Sequence, residues 1–318
     1  TIIEPYSYLI MYASGLDVDL GPSNTNTNFK LTQTKGTEYI VLSSPEGQIL
    51  DYVKLSPHQL NHSVGKDPNQ GWVFYVDPTP GFENDNEISF IDYADTPTFD
   101  LEPGFYNNTI NLSINCSQPD VEIYYTVDGS FPDTNSIYYG YIDSDGNLIT
   151  NNEINISTTT VVRAISVSQN TNFLNSFAET NTYFINSDHN LYVVSISGDD
   201  VENLISGNDE IRPSGSFEVF DSEGVLVDEA VGEFNKHGND SWTYDQRGFD
   251  YITRDQFGYN YALKNELFRT KDRNKYQRLI IKCAANDNYP FSVSSGEPEK
   301  GAHIRDSYVQ SLSQIADL

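Results

Sequence analysis

The stretch Gly232–Tyr259, GEFNKHGNDSWTYDQRGFDYITRDQFGY, gathers the residue types best able to do chemistry. Lys236, Asn239, Ser241 and Arg247 fall in or beside one glycine-bearing loop ahead of the strand-like FDYI run. An ammonium, an amide, a hydroxyl and backbone N–H groups converging there would suit an anion. Arg247 is the best cation of the set, because a guanidinium holds phosphate by a two-pronged fork. The competing reading for each residue is a solvated loop position.

Other constellations are thinner. Asp143-Ser-Asp145-Gly-Asn147 begins like a calcium loop, with oxygen ligands at alternate positions and a glycine turn. No acidic residue stands where the closing bidentate ligand belongs, and Asp-Gly is a favoured hairpin turn, so a turn is expected and calcium is the alternative. His58 and His62 share helical spacing, but Pro57 favours an ordinary loop over a metal pair. Cys116 and Cys283 form neither a spaced metal motif nor a disulfide framework. Arg163 is the sole Lys or Arg between Ile88 and Asn190, against thirteen Asp and Glu. Inside a strand it is expected to face a cross-strand carboxylate. No Ser-His-Asp or Cys-His arrangement stands out.

The elements that must position these residues are strands. With 318 residues, 37% of them hydrophobic, the chain can build two or three cores. Its 22 Tyr and 17 Phe, against 1 Met, favour strands over helices. A net charge of −28 and a pI near 4.2 exclude nucleic acid and disfavour anionic membranes. The same charge suits solubility in an exported protein, with divalent cations as the sharper alternative. No apolar run reaches the ~18 residues of a membrane span.

Short strands separated by turn residues cover the first part: TEYIVL and ILDYVKL flank SSPEG, and WVFYV ends at DPTPG. Thr109–Cys116 alternates, with Ile110, Leu112, Ile114 and Cys116 on one face, and Val121, Ile123, Tyr125 and Val127 repeat the pattern. TTTVVRAISV returns as a third long strand. Beyond it, LYVVSIS, a hairpin turning at Asp221–Gly224, FDYI and KYQRLIIKCAA continue the β pattern. The last stretch, HIRDSYVQSLSQIADL, changes to a helical period.

Three resemblances follow. TNFKLTQTKGTEYIVLSSPEGQILDYVKL and GWVFYVDPTPGFEN resemble the later part of a bacterial lamin-tail domain, an immunoglobulin-like sandwich whose opening strands have no counterpart here. GFYNNTINLSI, EIYYTVDGSFPDTNS and TTTVVRAISV resemble the chitobiase/β-hexosaminidase C-terminal domain, a small sandwich that serves larger proteins as a non-catalytic spacer. HGNDSWTYDQRGFDYITRDQFGYN, YQRLIIKCAANDNYP and GAHIRDSYVQSLSQ resemble the N-terminal half of the CotH kinase-like family.

The resemblances imply a mainly β chain: two immunoglobulin-like β-sandwich modules, 1–87 and 88–190, then a partial α+β CotH kinase-like domain, 191–318. They imply an extracellular or cell-surface protein of a bacterium, with structural or adhesive spacers presenting the CotH-like part to other protein subunits or surface components. In the CotH-like reading Arg247 takes the place of a family lysine facing nucleotide phosphates, with Lys236, Asn239 and Ser241 lining the loop. ATP with Mg²⁺ or Mn²⁺ is the implied cofactor of a complete domain. The family's metal-holding carboxylates come after the helix that begins near Arg305-Asp306, so the chain as it stands is expected to be non-catalytic. The alternative is the N-terminal part of a secreted atypical protein kinase. A further alternative is carbohydrate binding, with Trp242 and exposed tyrosines as stacking platforms.

Overall fold

The alternation in TINLSINC builds one layer of the central core. Leu112, Ile114 and Cys116 are buried as expected, but the segment changes partners at Ser113. Ile110–Leu112 pairs antiparallel with Ile154–Ile156, and Ile114–Asn115 pairs with Thr98–Phe99. Facing these two pairs is a six-stranded sheet in the spatial order Leu148–Ile149, Ile137–Ile142, Val121–Thr126, Thr160–Ser168, Glu179–Ile185, Gly104–Tyr106. Its final pair is parallel and the others antiparallel. Val121, Ile123, Ile142, Val162, Ala164, Tyr183 and Ile185 fill the space between the layers. Burying each of the larger aliphatic side chains contributes about 1.5–3 kcal/mol. The Tyr183 hydroxyl stays satisfied in this core by donating to Leu101 O at 2.9 Å. Val127, expected on the inner face, is exposed, because the strand ends at Thr126 and the chain turns away at Asp128.

In this computed structural model the described residues are 3–16, 25–84, 89–150, 153–239, 242, 247–268, 271–282, 308–309 and 311–312. Across them the protein is mainly β, with several sheets and almost no helix. No helix among them is long and apolar enough to cross a membrane.

The first module contributes a hairpin, Tyr39–Ser43 with Ile49–Lys54, and the strands Ser63–Asp67 and Gly71–Tyr75, to which Ser89–Phe90 at the start of the second adds a third strand. The hairpin exposes Tyr39, Val41 and Leu42 along with Ile40, Ile49 and Tyr52. The three-stranded sheet packs on the second module through Phe74, Tyr93, Leu174 and Phe177. Tyr93 ties the joint with its hydroxyl, which accepts from Gln59 N at 2.9 Å and lies 2.6 Å from His62 Nδ1. His58 instead places Nδ1 3.0 Å from Ser56 O, so the two histidines serve a loop and a module contact.

The third module is an antiparallel meander of Val193–Ser197, Ser214–Phe220, Leu226–Lys236, Phe249–Thr253 and Arg278–Ile281. One short helix, Val201–Ile205, caps its core of Leu204, Phe217, Phe234, Trp242, Tyr251 and Leu263. The hairpin at Asp221–Gly224 forms as the sequence indicates, with Asp221 Oδ1 accepting from the N–H groups of Glu223 and Val225. Tyr308, Val309, Ser311 and Leu312 are helical; the rest of the terminal amphipathic stretch, and Cys283, lie outside the described residues.

The core accounting gives a direct expectation. Leu112→Ala should lower unfolding free energy by about 2–5 kcal/mol in urea titrations, whereas Val127→Ala on the exposed turn should change it by no more than about 0.5 kcal/mol.

Candidate functional site

The structure uses two of the four expected anion-binding side chains, Lys236 and Arg247, internally. Trp242 is 9% exposed and sits in the third core, its Nε1 donating to His237 O at 2.9 Å and Gly248 O at 3.0 Å. Lys236 Nζ lies 5.2 Å from the Trp242 ring centroid and the Arg247 guanidinium 6.0 Å from it, each within cation–π reach. Both cations also have polar partners. Lys236 bonds the Asp209 carboxylate, which holds that acid below the usual carboxylate range. Arg247 donates from Nε to Trp242 O and from Nη1 to Ile205 O, both at 3.2 Å, the second at the C-terminal end of the short helix. Asn239 is exposed, and its carbonyl accepts from Trp242 N at 3.0 Å. Ser241 lies outside the described residues.

The loop is therefore drawn around a buried indole, which corrects the expectation of Trp242 as an exposed sugar platform. Sequence reading also missed a neighbouring cluster. Asp250, buried on the Phe249–Thr253 strand, bonds Arg278 and lies 3.2 Å from His237 Nδ1.

Asp143 is a turn residue. Its Oδ1 accepts from Asp145 N at 2.9 Å and Asn147 N at 2.8 Å, and the Asn147 side-chain amide approaches both oxygens. These donors hold the Asp143 carboxyl below its ordinary range. Asp145 and Asn147 thus supply N–H groups to the Asp143 carboxylate. Among the described residues no group of three or more His, Cys, Asp or Glu side chains is arranged to hold a metal ion.

The densest polar chemistry lies elsewhere, between the six-stranded and five-stranded sheets. On Thr160–Ser168, Val162 and Ala164 face the second core, so Arg163 points to the opposite face. Thr180 and Thr182 do the same on the neighbouring strand. Arg163 is 0% exposed. Instead of meeting a cross-strand carboxylate, it donates from Nη2 to Ser197 O at 2.9 Å and to Ser197 Oγ and Ser216 Oγ at 3.0 Å. Its register neighbours are Thr126 and Thr180, which offer no charge. Its guanidinium carbon lies 4.1 Å from the Phe131 ring centroid.

From the third sheet, Glu218 reaches back. Its Oε1 accepts from Thr182 N at 2.9 Å, and its Oε2 bonds the Thr182 hydroxyl, which lies 2.7 Å from Ser195 Oγ. Phe105, Phe184 and Phe220 close one side, with ring centroids 4.4, 5.2 and 6.1 Å apart. The DGS turn of YTVDGSFPD abuts this interface. Asp128 Oδ1 accepts from Ser130 N at 3.1 Å, and Phe131 N donates to Asp199 Oδ1 at 3.1 Å. At Gly129, with φ +78°, a Cβ would stand 2.9 Å from Ser197 Cβ.

The interface concentrates carboxyl groups. Glu218 is the cross-strand partner of Glu229, and Glu179 lines with Glu229 a cavity of about 100 Å³ between the sheets. Burial, opposed by the Thr182 hydrogen bonds and reinforced by Glu229, pushes Glu218 up to about 7. Burial, then the charges of Glu229, Glu218 and Glu102, pushes Glu179 up to about 8. Glu229 is raised by burial and by Asp228. Burial lowers Arg163 to about 10, so it remains charged at neutral pH.

Compared with known proteins, residues 101–176 match the chitobiase/beta-hexosaminidase C-terminal domain. That span holds the YTVDGSFPD turn, Arg163 and strands from both layers of the central core. The chain thus contains this β-module, and the match spans less than half of its length. No curated protein matches the chain, and no solved structure matches it.

Two outcomes follow. Arg247→Ala removes two carbonyl partners and should lower stability by about 1–3 kcal/mol in thermal or urea unfolding. Glu218 and Glu179 bind protons more tightly folded than at their ordinary value of 4.5. Their contribution is fully present below pH 4.5 and is lost as pH rises through about 7 and 8. The melting temperature should fall by several degrees between pH 5 and 8, and a Glu179→Gln, Glu218→Gln double variant should flatten that slope.

Proposed function

We propose that the protein is an exported or cell-surface scaffold, in which a lamin-tail-like module and the chitobiase C-terminal-like module hold a CotH-like module in a fixed orientation toward other subunits or surface components. The observation that carries this reading is the polar contact in which Arg163 of the central module meets Ser197 and Ser216 of the next. A flexible spacer has no need of a fully buried charge at its boundary. The first module adds its own ties to the third, with Gln33 donating from N to Asp255 Oδ2 at 2.9 Å and from Nε2 to Asp255 O at 2.7 Å.

A non-catalytic role is supported by the commitments of Lys236 and Arg247 to Asp209, to backbone carbonyls and to the Trp242 face. The competing activity is phosphoryl transfer from ATP, which needs metal-holding carboxylates beside the phosphates.

The purified chain, incubated with labelled ATP and Mg²⁺ or Mn²⁺, is expected to label neither itself nor an added protein. Labelling that drops in Arg247→Ala would overturn the scaffold reading. Surface location is checked by protease treatment of intact cells, which should degrade the protein; full protection would place it inside.

A further inference from the structure

A cavity of about 310 Å³ opens where all three modules meet. Phe131 and Phe177 come to it from the second module, Phe257 from the third, and Leu60 closes it from the first. Its volume is at the lower end of the roughly 300–1,000 Å³ of small-molecule sites. Two side-chain amides, Asn175 and Gln256, line it without a hydrogen-bond partner among the described residues, beside the hydroxyl of Ser214.

The wall is braced by other groups. Gln59 Nε2 donates to the carbonyls of Asn175 at 3.3 Å and Ser176 at 3.1 Å, and Ser176 Oγ accepts from Ser166 N at 2.9 Å. The loop bearing Asn175 and Phe177 is therefore held from the first module and from the sheet behind it.

The lining selects a ligand class. No Lys, Arg or His lines the cavity, and the acid at its edge, Asp133, already uses both oxygens on Asn135, at 2.8 Å from its N and 3.1 Å from its Nδ2. An anion finds no cation here and meets a chain of net charge −28. A wholly apolar ligand would strip water from two amides and return nothing to them. An amide both donates and accepts, so it matches hydroxyl groups, while a phenyl face takes C–H surface. We propose that this three-module junction binds a neutral, polyhydroxylated ring, a single saccharide unit of a glycan, through Asn175 and Gln256 at its hydroxyl edge and the half-buried Phe257 at one C–H face. The proposal does not rest on the scaffold reading, and it differs from the Trp242 platform, whose indole is buried.

The test uses the full chain with glucose, galactose, mannose and N-acetylglucosamine and their disaccharides, beside uronic acids and short neutral peptides, read by saturation-transfer NMR and by thermal shift. At least one neutral saccharide is expected to bind and raise the melting temperature. Its affinity should fall roughly three- to tenfold in Asn175→Ala and in Gln256→Ala, as expected for the loss of one neutral hydrogen bond. The unliganded melting temperature of both variants should stay at the parent value, and Phe257→Leu provides a milder check on the stacking face. Absence of binding by every neutral saccharide, binding only of uronic acids or of peptides, or equal affinity in parent and amide variants would each overturn the proposal.

Discussion

A buried guanidinium without a facing carboxylate governs how this molecule is put together. Arg163 lies on a strand whose other face builds the central core, so its side chain must emerge toward whatever packs on that sheet. Taking such a charge out of water costs several kcal/mol. Here the cost is offset by three hydrogen bonds to Ser197 and Ser216 and by the Phe131 ring. Nε and Nη1 remain buried without a hydrogen-bond partner among the described residues, so the compensation is incomplete and displacement of the sheets by one residue would worsen it. Glu218 supplies the complementary constraint from the opposite sheet through Thr182. Two polar anchors, each reaching into the other module, fix register more sharply than an apolar contact would.

That constraint organises the rest. Phe220 of the five-stranded sheet meets the paired rings of Phe105 and Phe184 across this contact, and Gly129 lets the DGS turn close against Ser197. The carboxylates Glu179, Glu218 and Glu229 are then forced together in a low-dielectric layer. There the neutral acid is favoured, which makes the junction a source of pH dependence, whereas turn hydrogen bonds hold Asp128 and Asp143 below the usual carboxylate range. The same docking brings the three modules around one cavity, which none of them would enclose alone.

Lys236 and Arg247 illustrate how residue type and residue role separate. Both carry the chemistry an anion site needs, and in the fold both lie against one indole. Asp209 takes the Lys236 ammonium, and the Ile205 carbonyl accepts from the Arg247 guanidinium. Charge in a loop is available to a ligand only when the fold leaves it unspent.

The sequence by itself determined the β character, the inward faces of Leu112, Ile114, Val121 and Ile123, the Asp221 hairpin and the Asp143 turn, since each depends on alternation or on local turn chemistry. The YTVDGSFPD segment identified the central module for the same reason: a turn signature is read within a few residues. Where contacts join residues far apart in the chain, pattern gave no purchase. Arg163 read as a cation awaiting a carboxylate on the next strand, because nothing local announces Ser197 and Ser216, 34 and 53 residues away. Trp242 read as a stacking platform, yet it is buried in the core of the third module. The junction cavity draws on Gln59, Asn175 and Gln256, and only the packing of three modules decided that they would meet.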